Sequence, residues 1–362
     1  MLRIFLILST VLFSILPGMG QRSSSENLVV IVLDGMRWQE VFAGADSALI
    51  NNPSFTRNKN RVLSRFWDAD PQIRRKKLFP FFWRTIATSG QLYGNRWQQS
   101  YVNVRNPYQL TYPGFSEMLT GHVNHEISSN RLVTNKSTNV LETINAQKGF
   151  EYKVALFATS DLFPFLMDRK NSKVYVNADS DSLAFAAPEF MLLNEMQHLT
   201  AKPTTERPDL LTYFAAKEYV KKYKPRVLYL AMGETDAFAH EGNYDQYLET
   251  ALAQDKMIER FWTMIQSMPQ YKNKTTLLIT CDHGRGDAAK QQWTSHGPNI
   301  PDSGEIWIAA MGPSTKAYGE MKGHPAIYQE QLAATMAAVL GLPYKPATHI
   351  AAPPVESIFS FK

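Results

Sequence analysis

The sequence has little of what marks disulfide-bonded or nucleic-acid-binding proteins. Its 362 residues include a single cysteine, Cys281, so no intramolecular disulfide can form. Lys and Arg exceed Asp and Glu by 38 to 33, and a net charge of +5 is too small to indicate a nucleic-acid partner. There is no internal repeat and no low-complexity tract. With 44% hydrophobic residues, the chain can bury a large core, and we expect its stability to come from that core.

The most apolar run of the sequence stands at its beginning. Arg3 precedes an apolar stretch over residues 4–16, Pro17 ends it, and small residues follow up to Gly20. This stretch is shorter than the ~20 residues that a membrane span needs. The pattern predicts a signal peptide over residues 1–20, and therefore a protein that is exported, periplasmic or secreted, with no membrane span after cleavage.

Apolar runs alternate with amphipathic stretches over the rest of the chain. The runs are continuous rather than alternating, which is typical of strands buried on both faces of a parallel sheet. The predicted strands are 28–33, 153–158, 226–232, 275–280 and 305–309. The predicted helices are 81–89, 115–120, 138–146, 209–223, 243–267 and 329–340. This alternation predicts an α/β fold with a doubly wound, mainly parallel central sheet and helices on both faces.

Two regions fit the alternation poorly. Residues 51–77 are polar and rich in Arg, Lys and Asn, and residues 171–208 mix a polar stretch with an apolar one. We expect a single catalytic domain over residues 21–362, with both regions as insertions near its rim. They form either part of a substrate cap or plain surface excursions.

Six residues of metal-binding type lie in four short motifs, most of them directly after a predicted strand. The motifs are LDG with Asp34, D-x-x-x-H with Asp236 and His240, CDHG with Asp282 and His283, and TSHG with His296. Because ligands bind at the carboxyl ends of parallel strands, residues far apart in sequence can meet there. Asp and His together suit zinc, manganese, iron or cobalt. Three Asp and three His divide evenly into two sites.

A threonine is available beside these ligands as a nucleophile. Thr111 lies in the segment LTYPG, and a metal ion can activate its hydroxyl. Gly114 would allow a helix to begin close by, with its backbone N–H groups facing a phosphoryl oxygen. Two divalent ions beside a hydroxyl are suited to displacement at phosphorus or sulfur.

The order of these motifs resembles the alkaline phosphatase superfamily, and most closely its nucleotide pyrophosphatase/phosphodiesterase branch. In that branch a T-F-P-N segment with a downstream T-G matches Thr111-Tyr112-Pro113-Gly114 and Thr120-Gly121. The resemblance implies one ion held by Asp236, His240 and His296. It implies a second ion held by Asp34, Asp282, His283 and Thr111. It further implies a Thr111 phosphoryl intermediate, two divalent ions, most readily zinc, and a small phosphate ester as substrate.

One position departs from the branch. Gly114 replaces its asparagine, whose amide contacts a phosphoryl oxygen, so either another donor serves there or the substrate is held differently. Arg285 is a candidate to bind the substrate anion, or it forms a salt bridge at the rim. Tyr112 and Trp293 are candidates to line the leaving-group pocket, or they pack in the core.

Several functions remain open on the sequence. A phosphodiesterase or nucleotide pyrophosphatase and a phosphomonoesterase use the same residues. A sulfatase needs Cys or Ser followed by x-Pro-x-Arg, and Thr111 and Phe115 argue against it. A phosphomutase would need an inserted domain. A non-catalytic, metal-stabilised binding protein would keep the ligands without turnover. The oligomeric state is open, and five other histidines are left out of the metal sites: His122, His125, His198, His324 and His349.

Overall fold

The computed structural model describes residues 24–202 and 206–359, so the predicted signal peptide lies outside the described residues. The strands are β1 Asn27–Leu33, β2 Gly90–Tyr93, β3 Val102–Asn103, β4 Val154–Ala158, β5 Tyr175–Ala178, β6 Val227–Met232, β7 Thr275–Thr280, β8 Glu305–Ile306, β9 Ile308–Met311, β10 Gly319–Glu320 and β11 Ile327–Tyr328. In this part of the chain they form one eight-stranded sheet, ordered β10-β2-β9-β7-β1-β6-β4-β5, and one three-stranded sheet, ordered β11-β3-β8.

The centre of the large sheet is parallel, as predicted. Strand β1 lies between β6 and β7 and pairs in parallel with both, with Val32 opposite Ala231 on one side and Thr280 on the other. Every residue of these three strands is buried, which explains their continuous apolar sequence. All three strands therefore end at the same edge of the sheet, and this edge carries the predicted ligands.

The predicted strand 305–309 is wrong in one respect, because it divides between the two sheets. Strand β8 pairs with β3 in the small sheet, whereas β9 joins the large sheet antiparallel to β2 and β7. The break falls at Trp307, which is fully buried and whose indole N–H donates to the carbonyl of Met36 at 2.9 Å.

Helices cover the sheet, and the six predicted helical regions are all helical within a few residues of their predicted starts. The helices are α1 Trp38–Ala43, α2 Ser47–Ile50, α3 Lys59–Phe66, α4 Pro71–Leu78, α5 Ala87–Ser89, α6 Thr111–Thr120, α7 Val140–Asn145, α8 Phe163–Leu166, α9 Pro188–Leu199, α10 Asp209–Tyr223, α11 Glu234–His240, α12 Tyr244–Ser267 and α13 Gln331–Val339. Of these, α1, α2, α3, α4, α8, α9 and α11 were not predicted. A π-helical segment over Phe82–Ile86 precedes α5. No helix among the described residues combines the length and the apolar content that a membrane span requires.

Helix α6 departs most usefully from its prediction. It begins at Thr111 rather than at Phe115, directly after extended Leu110. It ends at Gly121, whose φ of 76° is the left-handed conformation that glycine adopts at helix ends. Thr111 is thus the first residue of a buried ten-residue helix rather than part of a preceding turn.

Both predicted insertions contain regular structure. Region 51–77 forms α3 and most of α4, and Arg75 of α4 packs on Trp83 and pairs with Glu320 at 3.1 Å. Region 171–208 contributes strand β5 to the edge of the large sheet and helix α9 outside it. Strand β5 shows that the second region belongs partly to the sheet.

Candidate active site

The carboxyl ends of β1, β6 and β7 bring the predicted ligands together. Asp34 directly follows β1, and Asp282 lies two residues after the end of β7. Helix α11 begins after β6 and carries Asp236 and His240. Buried Asp209 holds the turn before α11 in place, because its Oδ1 accepts the Gly233 N–H at 2.8 Å.

We call Asp34, Asp282 and His283 the inner cluster. The Nε2 atom of His283 lies 3.4 Å from Asp34 Oδ1 and 3.3 Å from Asp282 Oδ2. The hydroxyl of Thr111 lies 3.3 Å from the same Nε2. Three of the four groups expected at one ion therefore lie around the Nε2 atom of the fourth, and all four residues are at least nine-tenths buried.

We call Asp236, His240 and His296 the outer cluster. The Nε2 atoms of the two histidines are 3.0 Å apart, and His240 Nε2 lies 3.2 Å from Asp236 Oδ2. Asp236 Oδ1 faces the inner cluster as well, 3.9 Å from His283 Nε2. Asp236 therefore stands between the two clusters, so a change there touches both.

The chemistry of both clusters fits divalent cations. Asp34 Oδ1 and Asp282 Oδ2 are buried without a hydrogen-bond partner, a costly arrangement unless a cation lies beside them. The Nδ1 atoms of His283 and His296 lie 2.9 and 3.0 Å from the carbonyls of Gly284 and Gln109. These contacts place the Nδ1 proton on the carbonyl side and leave each Nε2 as a free ligand atom.

Burial sets the proton affinities of the metal-free cluster. It raises the pKa of Asp282 to about 8, with the Asp236 charge adding to the effect, and it raises the pKa of Asp34 well above its usual range. Burial lowers the pKa of His296 to about 4 and that of His283 well below its usual value. Burial opposes ionisation of Asp236, yet the Arg285 guanidinium lowers the pKa of that carboxyl well below 3.8. The imidazoles are thus neutral, the state in which they bind metal.

Arg285 lies in the core beneath the outer cluster, 1% exposed, rather than on the substrate side. Its guanidinium pairs with Asp236 and donates to the carbonyls of Trp293 and Thr294 at 2.7 and 2.6 Å. This geometry does not favour the predicted contact with a substrate anion, because every described contact of the guanidinium is internal. The guanidinium instead holds the carboxylate of Asp236, a predicted metal ligand.

The other suggested substrate residues also face the core. Tyr112 is fully buried and donates its hydroxyl to the carbonyl of Val133, and Trp293 is fully buried against Tyr244 and Tyr247. A Cβ on Gly114 would lie 2.6 Å from the carbonyl oxygen of Asp282. Glycine is needed there because α6 packs closely on the backbone of a ligand, so the position offers the substrate no side chain.

The start of α6 offers fewer N–H groups than expected. The Tyr112 N–H donates to Asn130 Oδ1 at 2.9 Å, Pro113 has no N–H, and the Gly114 N–H donates to Leu110 at 2.8 Å. Among the first four residues of the helix, this leaves the Thr111 N–H as the group available to a substrate. The expectation of a row of free donors is therefore wrong.

A cavity of about 410 Å³ opens onto Thr111 and onto both clusters. Its lining comes from seven segments of the chain and consists of Asp34, Thr111, Asn130, Leu132, Ser160, Asp161, Leu162, Glu206, Gly233, Asp236, Ala237, His240, Glu241 and His296. Region 51–77 contributes none of these residues, and region 171–208 contributes Glu206. The lining does not include Tyr112, Gly114 or Trp293.

Asn130 was missed by sequence reasoning. Because its Oδ1 accepts the Tyr112 N–H, its Nδ2 remains to donate into the cavity. It can supply the amide that the sequence comparison sought at Gly114. Its segment shows no motif and no periodicity, so only its position in space identifies it.

The chain belongs to the type I phosphodiesterase/nucleotide pyrophosphatase family, whose model matches residues 45–347. This confirms the resemblance on which the sequence interpretation rests and makes the protein a phosphoric-ester hydrolase of a metal-dependent superfamily. A search of curated proteins found no significant match.

Solved structures share the fold. The alkaline phosphatase PafA superposes with a TM-score of 0.62 at 10% identity, covering 93% of this chain and 99% of PafA. A 2-O GAG sulfatase gives a TM-score of 0.57 at 12% identity, covering 92% of this chain and 74% of the sulfatase. A phosphonate monoester hydrolase from Silicibacter pomeroyi gives 0.52 at 13% identity, covering 87% and 73%. At these identities the likeness establishes the α/β fold alone.

Proposed function

We propose that this chain is a phosphodiesterase in which the Thr111 hydroxyl is the nucleophile. One observation carries the proposal. Thr111 lines the cavity, 9% exposed, with its Oγ1 3.3 Å from His283 Nε2 at the point where the inner cluster meets Asp236. A hydroxyl in this place can attack phosphorus while the metal-ligating groups stand next to it.

The reaction has two displacements. In the first, Thr111 Oγ1 bonds to phosphorus, the bond to the leaving alcohol breaks, and the hydroxyl proton balances the departing oxygen through solvent. In the second, water attacks the Thr111 phosphoryl ester, the bond from phosphorus to Oγ1 breaks, and Thr111 regains its proton. Each displacement is in line, so positioning supplies much of the rate.

Two divalent ions, zinc first among the candidates, complete the proposal. The inner cluster with Thr111 would hold one ion, and the outer cluster would hold the other. When bound, they would lower the pKa of the nucleophile and neutralise phosphoryl oxygens. The chain's own part is to fix these ligands: Arg285 orients Asp236, and the carbonyls of Gly284 and Gln109 orient the two buried imidazoles.

Charge favours a diester over a monoester. A phosphodiester carries one negative charge and a monoester carries two near neutral pH. In the described part of the chain, the cavity is lined by no Lys or Arg, and Arg285 is occupied by Asp236. The protein thus offers no side-chain cation for the second charge. Asn130 offers a neutral donor, which suits a diester.

A panel of p-nitrophenyl esters tests the proposal. Zinc-loaded protein should hydrolyse bis-p-nitrophenyl phosphate with a higher kcat/KM than p-nitrophenyl phosphate, and p-nitrophenyl sulfate should be the poorest substrate. Thr111→Ala should abolish turnover while zinc content stays near that of the wild type, and Thr111→Ser should retain part of it. Monoester preference would assign a phosphatase instead. Full zinc content without turnover on any ester would favour a binding protein.

Export is the remaining part of the proposal. It is supported by the apolar stretch over residues 4–16 followed by Pro17. Expression of the full chain with its natural start should yield a mature N-terminus near Gln21 in the exported fraction. Recovery of the intact chain from the cytoplasm would contradict export without touching the chemistry.

A further inference from the structure

We propose that the substrate of this site carries an ammonium group close to its phosphate and that Asp161, Glu206 and Glu241 bind it. The inference rests on the proposed function, because it assigns a substrate class to the same cavity. It requires that the part of the cavity wall outside the two metal-ligand clusters can bind a positively charged group.

The three carboxylates have no basic partner, unlike several acidic groups elsewhere in the described part of the protein. Elsewhere, Asp179 pairs with Lys202 at 2.7 Å and Glu218 pairs with Lys221 at 2.6 Å. Within residues 24–202 and 206–359, no Lys or Arg forms an ion pair with any of the three, although all of them line the cavity. No described side-chain cation therefore occupies the positions that an ammonium group would take beside them.

The cavity is marked as a ligand site independently of these carboxylates. Asp34, 5% exposed, lines it with an Oδ1 atom that has no hydrogen-bond partner. Thr111 stands beside it. Glu206 lies against the turn before α11, since a Cβ on Gly233 would lie 2.6 Å from its Oε2 atom. The three carboxylates and the Thr111 hydroxyl therefore line the same cavity.

The remaining residues that line the cavity limit the chemical class of the ligand. In the described part of the chain, no Phe, Tyr or Trp lines the cavity, and its larger apolar residues are Leu132 and Leu162. A nucleobase would find no stacking surface, and a quaternary ammonium would find no aromatic cage. Carboxylates instead make charge-assisted hydrogen bonds with N–H donors. The site is thus suited to a primary or secondary amine, as in an aminoalkyl phosphodiester.

A matched substrate pair isolates the ammonium group. The 2-aminoethyl and n-propyl p-nitrophenyl phosphodiesters share size and leaving group and differ in charge. At low ionic strength, zinc-loaded wild-type protein should show a kcat/KM about tenfold higher for the aminoethyl ester, and this advantage should shrink as salt is added. The p-nitrophenyl ester of thymidine monophosphate should rank below the aminoethyl ester.

Variants of the lining residues then test which carboxylates cause the preference for the aminoethyl ester. Asp161→Asn and Glu206→Gln should each lower the ratio of the two kcat/KM values toward one. Glu195→Gln, a change on helix α9 outside the cavity lining, should leave the ratio at the wild-type value. Equal rates for the two esters in the wild type would overturn the inference and leave the phosphodiesterase intact, as would a preference for the thymidine ester. No turnover of any diester would instead overturn the proposed function on which the inference rests.

Discussion

The inner and outer clusters use the same residue types but bury them to different extents. Asp282 and His283 of the inner cluster are fully buried, and Asp34 is 5% exposed. In the outer cluster, the side chain of Asp236 is 15% exposed and that of His240 is 47% exposed. The inner ligands follow two central strands, whereas two outer ligands lie on the seven-residue helix α11. The inner cluster is therefore fixed by the sheet, whereas the outer cluster opens onto the cavity.

The largest effect is expected at Asp236, because this residue faces both clusters. Asp236→Ala removes a carboxylate that faces His240 with one oxygen and His283 with the other. We expect kcat/KM to fall by at least about 10³-fold, since a metal ion supplies several kcal/mol of charge stabilisation. Zinc content per chain should drop as well. Turnover near that of the wild type would refute both metal assignments.

Removing one ligand from each cluster sharpens the comparison. Asp34→Ala should cost about 10³-fold in kcat/KM, because its cluster is buried and solvent cannot replace the lost ligand. His240→Ala should cost less, about 10- to 100-fold, since water can enter at its exposed position. Titration with zinc should restore part of the activity of the His240 variant and little of the other. Equal losses with equal rescue would mean that burial does not distinguish the clusters.

Arg285 provides a test of its own. Arg285→Gln should weaken zinc binding by about 10- to 100-fold, because the guanidinium orients Asp236. With saturating zinc, KM should stay near the wild-type value while kcat falls. If KM rose and zinc affinity were unchanged, Arg285 would be a substrate-binding residue after all. The charge-conserving Arg285→Lys serves as the matched control and should retain more zinc affinity than the Gln variant.

The smallest effect concerns pH and the metal-free protein. Burial raises the pKa of Asp282 to about 8 in the folded chain, against 3.8 when unfolded. Between these values the folded state holds a proton that the unfolded state lacks, so the stability of metal-free protein should fall as pH rises toward 8. Bound zinc requires ionised ligands, so the zinc-induced increase in Tm should grow from pH 6 to pH 8. Asp282→Asn should make this slope of the metal-free protein less steep, while Asp34, whose pKa burial also raises, retains part of it. A slope of the opposite sign would contradict the pKa assignment.

The convergence of the candidate metal ligands could be predicted from the sequence because the backbone sets their positions. Asp34 and Asp282 follow continuous apolar runs, and parallel pairing of β1 with β7 brings the ends of those runs together. The central strands were predicted for the same reason. The strands β2, β3, β5, β10 and β11 were missed, because they are two to four residues long and lack a long apolar run.

The cavity wall could not be predicted in this way. Arg285 and Tyr112 were candidates to contact the substrate because they lie beside the motifs in the sequence. Both side chains point into the core instead, and the motifs do not encode the direction of a side chain. Asn130, Asp161 and Glu206 reach the cavity from loops without periodicity. The sequence neighbours of a motif therefore do not predict which residues line the cavity. The ends of strands do predict which candidate metal ligands lie close together.

Trapping the covalent adduct tests the central claim most directly. Zinc-loaded wild-type protein would be mixed with bis-p-nitrophenyl phosphate, quenched in acid within one turnover, digested and analysed by mass spectrometry. The account predicts one added phosphoryl group, still bearing its second nitrophenyl substituent, on Thr111, with no adduct in Thr111→Ala. An adduct on another residue such as Ser160, or one that persists in Thr111→Ala, would contradict the account.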